Sequence, residues 1–557
     1  MRNTKRMISC LSIFCILSIL ILFAHLSGGK SIFSYNSSIF IPYKIDNWED
    51  KEKYLGLSKN NENYKNYFVV SSYAINMLLE FDKEGRRDKE KLANCVIIME
   101  RIKKTFDKYG KFPRDEYVSG KKRFPDGWVS SMDAPTIMVA SRMLYELTGD
   151  KKWKNFIKDL TTYVIKNTEQ EGFSFQIMET IWPLEYAMKG VTKDEALFVL
   201  NGSLTGYLGL CIISDLENNH DLKIYLEKVD NAYKKIFPKF PYKKYKWSRY
   251  MLHPSTVIPP HYMIFERELF YSIFRLTGKE LYKKEYEYRM DCLENILAPQ
   301  LKIDAKGGMD FIIRRASAPH PYMIDCYPTR VVFYDETRNA VKSFENNTKN
   351  RSDYDVPGFK SGEFLYGNVP LNVKTYAYFR NDTGEKLFEK NIEQSDFIKD
   401  TESMKKIKAN LKTIFDAKFL TDRSVLLKKS LSDKQEGRVQ YVLLKPDNID
   451  EKAYYAIEVE NCNAKDFNIS LVLYDSDKNG ASRYLRPLRP GKNLVLFNIL
   501  GFANIDTLKN LNRIDLRIYT DRPESEGVLK LGNLLRFKNL FQLRDYRMYS
   551  AYEVCPQ

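Results

Sequence analysis

The chain has 557 residues, 44% hydrophobic and 14% aromatic, which excludes global disorder and calls for two or three packed domains rather than one. Its formal net charge of +16 suits a polyanionic partner without naming one. Eight cysteines without C-x-x-C spacing and five dispersed histidines give no metal-ligand pattern. Phosphate-binding loops, dinucleotide fingerprints and nucleophile elbows are also missing, so no cofactor is expected.

In chain order, Arg2, Lys5 and Arg6 precede an apolar run over residues 7–26. That is about the 20 residues a helix needs to cross ~30 Å of hydrocarbon. Basic residues ahead of it predict a transmembrane signal anchor over 1–30, with the bulk outside the cytosol. A cleaved signal peptide is the alternative, and would make the protein secreted. Either way the partner is a membrane or an exported polyanion rather than nucleic acid. A homodimer is compatible with the sequence. The polar stretch 31–65 reads as a stalk.

Apolar residues at three- and four-residue spacing then predict helices over 68–81, 91–106, 134–147, 153–166, 197–216, 222–236, 263–276 and 281–298. A Gly-containing basic loop separates the second from the third. Two junctions repeat one another: Leu147-Thr148-Gly149 before Trp153, and Leu276-Thr277-Gly278 before Tyr282. In each, a glycine stops one helix and an aromatic opens the next. The repeat implies stacked helical hairpins over 66–300, read as an (α/α) toroid with a central cleft; an open solenoid is the alternative. Residues 301–405 are ambiguous, and 405–411 reads as a short joining helix. Alternating runs at 439–444, 454–459, 469–474, 493–498, 514–519 and 528–531 predict an all-β, jelly-roll-like sandwich over 406–545.

The chemistry concentrates in Trp182-Pro183-Leu184-Glu185-Tyr186, followed by Phe198-Val199-Leu200-Asn201-Gly202. A carboxylate beside a phenol can move a proton at a carbon next to a carboxyl group, if burial brings its pKa toward neutrality. The ordinary reading is a core Trp and Tyr with an incidental Glu. Phe237 to Trp247 interleaves aromatics with Lys239, Lys243, Lys244 and Lys246, a pattern suited to an acidic sugar polymer or to a plain solvated loop.

These two blocks, in this order, resemble the W-x-E-E-Y-P and V-L-N-G stretches of the D-glucuronyl C5-epimerases, in the bare helical form of the microbial members. The resemblance spans roughly residues 66–300. It implies inversion of C5 in glucuronate residues of a polysaccharide, of the heparan sulfate-like kind, without cofactor or metal. It places Glu185 and Tyr186 in the active site and, through Pro259-Pro260-His261-Tyr262-Met263, adds Tyr262. Glu185 and Tyr262 are then the acid/base pair. The resemblance adds Trp128, Trp182, Tyr245 and Arg249 as substrate-binding positions, the lysine–aromatic pattern adds Lys243 and Lys244, and His261 flanks the expected cleft where it could bind a carboxylate. The chain departs from the family at Leu184, Ala187 and Asp133-Ala134-Pro135-Thr136, where it reads differently from E-E-Y-P and A-Q-G-Q. A polysaccharide lyase, which starts with the same deprotonation, and a non-catalytic glycan-binding protein are the rival readings.

Overall fold

In the computed structural model the eight helices expected between residues 68 and 298 are present. The structure describes residues 30–35, 37–43, 65–119, 122–242, 246–252, 255–258, 260–297, 299–304, 307–314, 330–345, 364–379, 384, 386–398, 404–414, 417–429, 437–450, 453–465, 467–499, 502, 505–518, 525–550 and 553–554. The anchor expected at 7–26 lies outside them. Among the described residues no helix is long and apolar enough to cross a membrane.

The helices of the first half are α1 (Tyr67–Lys83), α2 (Lys89–Tyr109), α3 (Asp133–Thr148), α4 (Lys151–Val164), α5 (Leu200–Glu217), α6 (His220–Ile236), α7 (Pro260–Thr277) and α8 (Glu280–Leu297). Polar side chains open four of them: Asn66, Asp88, Asp150 and Asn219 each accept a first-turn N–H. The two repeated junctions are one structure built twice. Gly149 and Gly278 adopt φ of 68° and 66°, and their N–H groups donate to Tyr145 and Phe274 carbonyls. Trp153 and Tyr282 are then driven fully into the core.

Each hairpin has an inner and an outer helix. The inner helices α1, α3, α5 and α7 pack side by side in chain order, and α2, α4, α6 and α8 back them. Burial follows this division. Every residue of α5 from Leu200 to Ser214 is buried, whereas α2 buries one stripe, Asn94, Cys95, Ile98, Met99 and Ile102. Cys95, Cys211 and Cys292 are buried free thiols.

Residues 31–43 do not form a stalk. They make two short 3-10 turns, Ile32–Ser34 and Ser37–Tyr43, which bury Ile32, Ile39, Phe40 and Tyr43 in the helical core. The second turn lies against both α7 and α1, the last and first inner helices. Asn76 Nδ2 donates to the Tyr43 carbonyl at 2.6 Å and fixes it there. The apolar residues here have no helical or strand period, so the sequence read only as polar and irregular.

Between the helices run short strand pairs, β1 (Ser174–Ile177) with β2 (Thr180–Pro183), and β3 (Trp247–Leu252) with β4 (Ser255–Val257). After α8 the described residues are mostly antiparallel β, with one further helix over Leu540–Tyr549. The ambiguous region forms a three-stranded and a four-stranded sheet around Leu301, Phe311, Val331, Phe333 and Tyr376. The helix expected at 405–411 is instead two strands, Lys405–Ile407 and β5 (Ala409–Ile414). Ile407, Ala409 and Leu411 alternate onto the sandwich core, a period of two that the flanking lysines obscured.

The sandwich has a seven-stranded sheet and a five-stranded sheet. The latter contains β5, β6 (Arg438–Asp447), β7 (Phe467–Tyr474), β8 (Gly480–Leu488) and β9 (Leu511–Ile518), in the order β5-β6-β9-β7-β8. All six runs read from the sequence fall on strands. The sandwich core extends into the helical half through Trp247, Ile258, Met263, Ile264, Cys292 and Leu293. The turn Ile505–Thr507 packs on β4, and Trp247 Nε1 donates to the Ile258 carbonyl at 2.6 Å. The sandwich therefore buttresses the wall formed by β3 and the start of α7.

Candidate active site

The β1–β2 hairpin delivers residues 184–187 to the inner helices. There the backbone locks them beside the Trp128 block. Leu184 N–H donates to Phe173, Ser131 N–H to Leu184, and Val129 and Ala187 exchange both N–H bonds, all at 2.9–3.0 Å. Glu185 and Tyr186 lie between these anchors, so their placement is set by main chain on both sides.

Glu185 is 6% exposed, and its Oε2 has no hydrogen-bond partner. Burial pushes its pKa up to about 7, against the opposing pull of the Tyr186 phenol, the Arg114 guanidinium and the Gly202 N–H. The glycine is a requirement of the site. A Cβ at Gly202 would lie 2.2 Å from Glu185 Oε2 and 2.5 Å from its Cγ. Gly206 and Gly209 press the same helix on the Ser131 and Pro135 backbones, so α5 turns a glycine face to the chain it meets. Gly202→Ala is expected to displace the carboxylate and lower turnover about 10²-fold. Its destabilisation should be about 1–3 kcal/mol, so the protein stays folded. Turnover and a urea melt measured together check both values; unchanged turnover contradicts the geometry.

The Tyr186 ring sits in an aromatic wall. Tyr117 stacks on it at 5.3 Å and 10°, Trp128 at 5.2 Å and 29°, and Phe124 packs at 5.1 Å. Behind this wall Arg114 pairs with Asp133, with Nε 2.9 Å from Oδ2, and lies 5.1 Å from the Trp128 ring. Asp133 is fixed further by the Phe68 N–H at 2.9 Å. Arg114 is thus the cation whose field reaches Glu185.

A second wall carries Tyr262, in the first turn of α7, and Tyr250, on β3; their rings are 5.1 Å apart and half-buried. Burial holds both phenols above the usual range, and the Glu185 charge is the next cause for each. Tyr186 is raised for the same two reasons. The arrangement is one carboxylate titrating near neutrality beside phenols that burial keeps neutral, a pairing of chemical types able to accept and to donate a proton. Among the described residues no His, Cys, Asp and Glu cluster is placed to hold a metal.

Glu185, Tyr186, Tyr262 and Trp128 are thereby brought together. Trp128 serves as wall: it is 5% exposed, and its Nε1 donates to the Asp115 carbonyl at 2.7 Å. Two expected positions are not substrate-facing. Trp182 is fully buried, stacked on Phe240 and edge-on to Tyr233 and Phe198, so it has no surface to offer a sugar. Arg249 donates from one terminal nitrogen to the Lys239 and Pro241 carbonyls at 3.1 and 2.8 Å and lies over the Tyr242 ring. The strand register shifts between Arg249 and Met251, and there Tyr250 packs on Tyr262 while Arg249 clips the preceding turn. Lys243, Lys244 and Tyr245 lie outside the described residues, as does the His261 side chain. Arg114, Tyr117 and Tyr250 were missed. Tyr250 lies at a register shift of β3, so strand alternation gave no signal for it. Arg114 and Tyr117 sit in the loop before Trp128 without a periodic signature.

The site is a buried carboxylate and a group of phenols held between helical hairpins. Residues 106–290 match the family model of the D-glucuronyl C5-epimerase C-terminus. No curated protein matches the chain. Among solved structures, cellobiose 2-epimerase from Bacillus thermoamylovorans is 11% identical over 43% of this chain and 61% of its own, with a TM-score of 0.33. A family 11 carbohydrate-binding module from Clostridium thermocellum is 9% identical over 24% of this chain and 94% of its own, with a TM-score of 0.17. An agarase is 12% identical over 25% of this chain, which spans 22% of the agarase, with a TM-score of 0.18.

Proposed function

We propose that the protein is a C5-epimerase of uronate residues, of the glucuronate-to-iduronate type, in an exported acidic polysaccharide. The helices then form an (α/α) toroid whose cleft takes the polymer, and the sandwich is of jelly-roll type. The N-terminal run anchors it with its bulk outside the cytosol. The observation that carries the reading is Glu185, buried and poised near neutrality, with its charge acting on the Tyr250 and Tyr262 phenols.

The ionised Glu185 carboxylate takes the C5 proton, and the electron pair of that bond passes into the substrate carboxyl group. The resulting enediolate is reprotonated from the other face by a phenol of the Tyr250–Tyr262 pair. The phenolate regains its proton from solvent, and Glu185 releases its own there. Arg114 contributes positive field on the Glu185 side, and Tyr186 donates toward the carboxylate.

This division of labour has a test. Phe at 250 or 262 keeps the ring and removes the donor. At whichever position supplies the proton, Tyr→Phe is expected to reduce inversion by about 10²- to 10⁴-fold. Glu185 still removes and returns the proton on its own face, so deuterium from D₂O enters C5 with configuration retained. Wild-type inversion by both Tyr250→Phe and Tyr262→Phe would remove the second wall from the mechanism.

A further inference from the structure

We propose that the outer face of the five-stranded sheet is a second saccharide site, holding a uronate-rich stretch of polymer through its carboxylates. It rests on the acidic-polysaccharide reading above. Strand register places Lys412, Arg438, Arg517 and Arg513 on this face, around Asp515. The opposite faces of the same strands, with Val439, Tyr441, Ile514, Leu516, Leu471 and Leu473, form the sandwich core. An outward row carrying four cations and one acid is therefore a charged surface on a closed core.

The acid arranges the cations. Asp515 is fully buried although it sits on the outward face. Arg513 Nε lies 2.8 Å from one carboxylate oxygen, Gln440 Nε2 donates at 3.1 Å, and an Arg438 nitrogen is 3.8 Å away. Arg513 is also held 3.8 Å from the Tyr474 ring, and Arg517 Nε donates to Ser470 Oγ at 2.9 Å. Guanidinium groups fixed this way lose little freedom on meeting a carboxylate, which they match in shape. Leu444, on the same face at the end of β6, is 61% exposed, and Lys412 is exposed. Arg513 and Arg517 are about 13 Å apart along β9, so an extended chain meets them in succession. Carboxylates spaced along a sugar polymer complement that charge.

The test uses the full chain with hyaluronan, alginate and polygalacturonate, and with dextran and single-stranded DNA as controls. Wild type is expected to bind at least one uronate polymer and not dextran, more weakly as salt rises. The pair Lys412→Gln with Arg517→Gln spares the groups around Asp515, and is expected to weaken that binding at least tenfold. Arg513→Gln, which touches Asp515, is the second variant. C5 deuterium exchange on a uronate tetrasaccharide is read alongside and should be unchanged in the pair. Binding by the pair equal to wild type, no uronate polymer bound by wild type, or an equal loss toward DNA would overturn the proposal. Absent exchange with binding still lost in the pair would instead sink the epimerase reading and leave this site standing.

Discussion

Glu185→Gln is expected to lower C5 turnover at least about 10³-fold while making the protein more stable at pH 8. The amide keeps the shape that fits against Gly202 and cannot accept the C5 proton. The stability gain follows from the same burial that sets the pKa. The folded carboxyl titrates near 7, against an ordinary value of 4.5. Between those values the folded state binds more protons than the unfolded state, so stability falls as pH rises through the window. Fully developed above pH 7, the penalty is about 3 kcal/mol, and the amide does not carry it. Glu266, buried against Arg289, is also pushed up to about 7, so the variant keeps part of the slope. Wild-type activity should rise as pH climbs through about 7 and Glu185 ionises. Urea melts at pH 5 and pH 8, with turnover at each, check the whole pattern. A Gln variant less stable than wild type at pH 8 would show that the ionised carboxylate is well solvated, against the burial described.

Arg114→Met is expected to destabilise the protein by about 3–5 kcal/mol. Asp133 is 1% exposed, and Arg114 contacts both its oxygens. Methionine of similar reach preserves packing on Trp128 but leaves a buried carboxylate with only the Phe68 N–H on it. Burial already drives the Asp133 pKa up, and Arg114 is the largest opposing influence. Without the cation Asp133 takes up a proton more readily, so the deficit should shrink as pH falls. Glu185 loses a stabilising field too, and the rise of activity should move to higher pH. Arg114→Lys keeps the charge but not the two-point contact and should fall between. Denaturation midpoints across pH 5–8 decide it; a loss below about 1 kcal/mol for Met would mean that water reaches Asp133.

The parts of this fold that repeat with a short period were legible. The eight helices announced themselves through three- and four-residue spacing, and the twin Thr-Gly junctions gave their hairpin order before any contact was known. The glycines of α5 were visible as letters, but their role was not: only the close approach of Glu185 explains Gly202. Residues 31–43 escaped because burial there comes from docking across α1 and α7, which leaves no local pattern. Motif resemblance singled out the Glu185-Tyr186 pair and Tyr262, which the fold places in one neighbourhood. Trp182 and Arg249 were expected to meet substrate because of what their residue types can do, but packing puts Trp182 in the core and binds Arg249 to the Lys239–Pro241 turn. Arg114 required tertiary knowledge, since its partner Asp133 opens a different element.

The central claim is proton transfer at C5 with the polymer left whole. The direct measurement is to incubate the full chain with uronate polysaccharides in D₂O and follow C5 by NMR together with ultraviolet absorbance. The account predicts deuterium at C5, a mixture of both configurations and intact chains. Ultraviolet-absorbing fragments would mean elimination in place of reprotonation, and binding without exchange would mean that Glu185 is no base.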